Sequence, residues 1–165
     1  MTVTPILSQL ASQHQRIVGI IDALDDDQLR SRALPSGWSP LSMINHVAGA
    51  TQFWLLEVML DRHPESSSDD DFAIPTDADS PALVERFQRS THDALAAVSD
   101  LAPSTEPIWW PEGAWGGWRL HTLDEVLLHL LVETACHAGH LDAARELIDG
   151  GTWNYATGRV DVVHR

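Results

Sequence analysis

The stretch His129-Leu-Leu-Val-Glu133-Thr-Ala-Cys-His137-Ala-Gly-His140-Leu-Asp-Ala-Ala-Arg145-Glu-Leu-Ile-Asp-Gly150 decides how the chain folds. Just upstream, Thr122-Leu-Asp-Glu125 sets a hydroxyl and a carboxylate where each can satisfy a free backbone N–H of a starting helix. Between Leu123 and Ile148 there is no proline, the one glycine is Gly139, and Gly150-Gly151 supply a left-handed stop. The pattern predicts one long helix. At about 100° per residue, His129, Glu133, His137 and His140 project within about 80° of one another and form a single stripe.

Most of the remaining helix is Leu, Val, Ala and Cys, so its most apolar sides turn inward and carry the stripe deep into the protein. A carboxylate and imidazoles there must be paired, hydrogen-bonded or bound to a cation, because an unpaired buried charge costs several kcal/mol. From spacing alone, a metal site, a buried Glu-His hydrogen-bond network and a partly wet helix face all remain open.

Composition bounds the answer. A chain of 165 residues with 44% apolar side chains suits one domain spanning 1–165, its tail from about 150 onward unassigned. The formal charge is −14 and every basic residue is arginine, which argues against nucleic acid or an anionic membrane as partner. One cysteine, Cys136, excludes an internal disulfide framework and fits a reducing interior. No leader-like or membrane-spanning run appears, so the chain reads as cytoplasmic.

Outward from the long helix, Thr4-Pro5, Ser39-Pro40 and Ser80-Pro81 each set a capping hydroxyl before a proline suited to the first helical turn. These predict helices over about Pro5–Leu24, from Pro40 through Leu60, and over Pro81–Leu101. Asp25-Asp-Asp-Gln28 caps a short segment to about Ala33. His14 lies in the apolar seam of the first helix, where a satisfied core histidine competes with a pocket-lining role. His46 stands beside Gly49 and Ala50, small residues that admit a neighbouring helix, and so is placed to face the Glu133 stripe. His92 points to solvent. His63 to Asp79 reads as a surface connection whose aspartates fit no EF-hand spacing. Residues 109–118, with Trp109, Trp110, Trp115 and Trp118 among prolines and glycines, read as a lid, a packed second core or a homodimer contact.

Four principal helices joined by short and long links make an all-α four-helix bundle, where cofactor sites are built from side chains on facing helices. His46 from one helix, with Glu133 and His137 from another, would supply two imidazoles and a carboxylate. That set suits Zn²⁺, Ni²⁺, Mn²⁺ or Fe²⁺ and leaves positions open for water or substrate.

At these residues the sequence resembles the DinB-like superfamily of metal-binding four-helix bundles, over most of the chain. The resemblance rests on Gly37-Trp-Ser-Pro-Leu-Ser-Met-Ile-Asn-His46-Val-Ala-Gly and on His129 to Gly150, whose Glu-Thr-Ala-x-His-x-Gly-His and Arg-Glu-x-Ile-Asp-Gly runs are similar to mycothiol-dependent S-transferases. It implies metal ligands at His46, Glu133 and His137. Glu133 replaces a histidine, as in the related mycothiol-dependent maleylpyruvate isomerases, and its charge lowers the Lewis acidity of the site. Cys136 takes a place often held by a non-ligand histidine, and His140 one often held by glutamine.

The implied activity is addition of a low-molecular-weight thiol such as mycothiol to a small-molecule electrophile. A divalent metal, zinc foremost, would favour the thiolate. His140 would serve proton transfer, His129 would orient the Glu133 carboxylate, and Arg145 would be a structural ion-pair partner. A metal-dependent hydrolase using bound hydroxide and a non-catalytic stress-associated binding protein are the competing readings.

Overall fold

In a computed structural model, residues 5–63 and 74–162 are described. The expected acidic connection lies mostly outside them, as does the Thr4 cap. Among the described residues, five α-helices, a π-helical turn, a 3-10 turn and one hairpin follow in order: α1 Pro5–Ile21, α2 Asp26–Arg30, α3 Pro40–Gln52 continuing as a π-helix over Phe53–Val58, α4 Ser80–Val98, the 3-10 turn Ala114–Gly117, α5 Leu123–Asp149, then β1 Gly151–Asn154 and β2 Arg159–Val162.

α1 packs on α5 and α4, and α3 packs on α4 and α5, which closes an all-α bundle. α1 shows why: Leu7, Leu10, His14, Ile17, Ile20 and Ile21 are its buried residues. Their three- and four-residue steps trace one face, and burying each aliphatic side chain contributes about 1.5–3 kcal/mol. One part of the core gathers Leu10, Leu55, Met59 and Leu127; another gathers Ile17, Leu41, Ile44 and Phe87. No described helix is long and apolar enough to cross a membrane.

The caps agree with the sequence in kind and differ in detail. Ser39 accepts from the Ser42 N–H, and Ser42 answers the Ser39 N–H, a closed capping box. On α5, Thr122 accepts from the Glu125 N–H, while Glu125 reaches one residue further back to the His121 N–H. Asp79, not Ser80, caps α4: its carboxylate accepts from the Ala82 N–H, and Ser80 becomes the first helical residue, with its hydroxyl donating to Asp26. A carboxylate is the stronger acceptor at a positive helix end, which accounts for the shift.

α1 stops three residues before the expected Leu24 because Ala23 turns left-handed, with φ of 61°. Arg145 holds that end: its guanidinium donates to the Ile20 and Asp22 carbonyls, both at 2.7 Å, and pairs with Asp149. The unassigned tail is an antiparallel hairpin with Gly151 opposite Val162 and Asn154 opposite Arg159. Trp153 from it covers Gly19 on α1, and the Trp153 N–H donates to Asp142.

Candidate metal centre

The capping box fixes the start of α3, and burial of Met43, Ile44 and Val47 fixes its rotation. His46, between them, then faces α5 with 17% of its side chain exposed. On α5, burial of Leu130, Thr134, Ala138 and Leu141 leaves Glu133 and His137 one turn apart on the edge turned to α3.

The three residues meet. One donor atom from each of His46, Glu133 and His137 lies within 4.8 Å of the others. His46 Nε2 stands 3.5 Å and His137 Nε2 4.0 Å from the same oxygen, Glu133 Oε1. Two ligands on a tetrahedral zinc at ordinary bond lengths are about 3.3 Å apart, so side-chain adjustments of about 1 Å would close the set on an ion. Nδ1 of His137 is buried with no hydrogen-bond partner among the described residues, and the ring is held by its contacts with Trp38 and His46.

The electrostatics lean the same way. Burial works against ionisation of Glu133, but the hydrogen bond and charge of His46, with the charges of His129 and His137, outweigh it and hold the carboxyl below its ordinary range. His137 is pushed below the usual imidazole value, first by burial and then by the charge of His46. An ionised carboxylate and a neutral imidazole are the forms a cation needs.

His129 Nε2 is 3.8 Å from Glu133 Oε2, on the opposite oxygen from the other two imidazoles. His140 is exposed, its ring centroid 5.8 Å from that of His137. Cys136 is exposed and not among the converging donors, and His14 is elsewhere: its ring meets Phe87 on α4 edge-on, and its Nε2 is 3.3 Å from Thr51 Oγ1. That hydroxyl already donates to the Val47 carbonyl, so His14 Nε2–H must be the donor to it. His14 is a core histidine, and His92 is exposed as expected.

Aromatic side chains stand at both ends of the stripe. Trp38, to which the sequence assigned no role of its own, lies with its ring 6.4 Å from His46, 5.6 Å from His137 and 6.0 Å from His140. Its place just ahead of the Ser39 cap was the available signal, since an apolar residue there folds back over the helix it precedes. At the other end, His129 lies 4.7 Å from Trp54 and 5.3 Å from Trp118. Trp54 is also covered by Trp110 and Trp115, so the Trp-rich segment packs down as an aromatic layer against the π-helix.

Two imidazoles and a carboxylate brought together from facing helices of a bundle make a donor set that could hold a metal ion. The model of the mycothiol S-transferase family matches residues 6–150, and the chain belongs to that DinB-like family. A comparison with curated proteins finds no match to this chain.

Proposed function

We propose that this chain, acting as one domain, is a divalent-metal-dependent S-transferase that joins a low-molecular-weight thiol of the mycothiol type to a small electrophile. The observation that carries the reading is the convergence of His46, Glu133 and His137 within 4.8 Å, in a member of the mycothiol S-transferase family. These three would hold the ion, with zinc first and Ni²⁺, Mn²⁺ or Fe²⁺ compatible with the same donors. When bound, the metal supplies Lewis acidity that favours the ionised form of a thiol.

The chain's own groups do the rest. Glu133 and His137 are poised in their unprotonated forms, His129 stands beside the second oxygen of Glu133, and Trp38 packs against the His46 and His137 rings. His140 passes the thiol proton to solvent. The sulfur electron pair forms the new C–S bond as the leaving group departs with the pair of the bond it breaks.

Protein purified without chelators should hold about one divalent ion by elemental analysis, and Glu133→Ala and His137→Ala should each lose it. Metal retained by both variants would refute the ligand assignment. Product formed equally fast without thiol would replace transfer with hydrolysis.

A further inference from the structure

Exposed large apolar side chains lie on the loop and on α5 around His129, at the end of the stripe away from Trp38. Trp118 is 44% and Trp115 50% exposed on the loop, and Leu128 and Val132 are 54% and 63% exposed on α5. His129 stands among them: its ring is 5.3 Å from that of Trp118, at 54°, and its Nε2 is 3.8 Å from Glu133. Val132 is three residues beyond His129 and so adjoins it on the helix surface. The apolar surface therefore runs up to the carboxylate that belongs to the metal donors. Contiguous exposed apolar surface beside a polar centre marks a binding site more often than bare protein.

We propose that this surface is the electrophile subsite, and that it takes an uncharged, planar, electron-poor aromatic ring, laid on the Trp118 indole with its reactive carbon toward Glu133. The proposal rests on the transferase reading for its chemistry but not for the binding itself. Planarity follows from the half-exposed Trp118 indole, on which a flat ring stacks with the largest contact. Electron deficiency follows from the indole face, which is electron-rich and favours a ring of opposite quadrupole. The absence of charge follows from the neighbours: Glu133 and the overall charge of −14 repel anions, while Arg119, the one arginine of the loop, sits over Trp110 at 5.4 Å. A ring that accepts attack by a thiolate is itself electron-poor, so the recognition and the reaction ask for the same property.

1,3-Dinitrobenzene, which has the ring but no leaving group, tests binding apart from chemistry. It should bind the intact protein without thiol or added metal, shift the Trp118 indole and His129 ring signals in NMR titration, and bind Trp118→Ala at least tenfold more weakly. Tyr155→Ala, which removes an exposed aromatic from the hairpin, should bind it like the wild type. No binding to the wild type, equal binding to Trp118→Ala, or shifts confined to other tryptophans would each overturn the proposal. Trp118→Phe, with an intermediate loss, serves if the alanine variant does not fold. Binding of 1,3-dinitrobenzene without thiol-dependent turnover of 1-chloro-2,4-dinitrobenzene would instead sink the transferase reading and leave the subsite standing.

Discussion

The indole of Trp38 and the imidazole of His137 pack with centroids 5.6 Å apart and planes 55° apart, although one precedes α3 and the other lies 99 residues further on, on α5. The contact ties the entry of the helix that carries His46 to a side chain of the converging set on another. It makes the start of α3 part of the candidate metal centre.

Trp38→Ala should therefore fold but hold metal less tightly, by about tenfold, the usual cost of removing a group that orients a ligand. Competition against a chromophoric chelator measures this. Unchanged affinity would reduce Trp38 to a solvent screen.

His14 predicts an acid-sensitive core. Burial lowers its pKa from 6.5 to about 4, so the unfolded chain takes up a proton that the folded one refuses. This contribution to stability is complete above about pH 6.5 and is lost as pH falls toward 4, for a total of about 3 kcal/mol. His14→Leu should remove about 2 kcal/mol of the wild-type fall between about pH 7 and pH 5, read from urea unfolding with chelator present. Thr51 tolerates the change because its hydroxyl proton is already donated to Val47.

Arg145 predicts a loss of stability separate from the metal. It is 4% exposed and holds the Ile20 and Asp22 carbonyls at the end of α1 together with Asp149. Arg145→Met should strand those groups and cost about 3 kcal/mol in denaturant unfolding. Metal stoichiometry measured well below the midpoint should stay at that of the wild type, since none of the converging donors is lost.

Gly19 is a packing requirement. A Cβ there would stand 2.5 Å from the Trp153 ring. Gly19→Ala gains about 1 kcal/mol of helix propensity but forces the indole off α1 at a cost of about 1–3 kcal/mol. The net change should be a small destabilisation, with NMR shifts concentrated in β1 and β2 while the signals of His46 and His137 stay put.

Much of this was legible in the chain. Capping residues and prolines located three helix starts, those of α3, α4 and α5, to within a residue, because cap chemistry is local. The stripe on α5 gave Glu133 and His137 because a helix fixes the relative direction of its side chains. His46 needed one further step, from small neighbours to a close helix. The family resemblance named the same three residues.

What stayed hidden depends on contacts distant in sequence. Trp38 meets His137 and His140 only after α3 and α5 have packed. The tail's hairpin has short strands whose pairing is anchored by Trp153 on Gly19 and Asp142, and the alternation of Arg159-Val160-Asp161-Val162 is too short to announce it. The tryptophan segment had three open readings because nothing in it tells what Trp54, about a third of the chain away, will offer as a surface.

The π-helical turn over Phe53–Val58 lets two consecutive residues, Phe53 and Trp54, both meet Trp115, at 6.1 and 5.5 Å. A wider turn accommodates one residue more than ordinary winding would. The extra residue is absorbed inside this one turn, so Val58 and Met59 keep the interior face that a helix one residue shorter would give them by ordinary winding. Deleting a single codon here would let the turn close to ordinary winding with everything beyond it held in place, and would cost only the double contact that Phe53 and Trp54 make with Trp115.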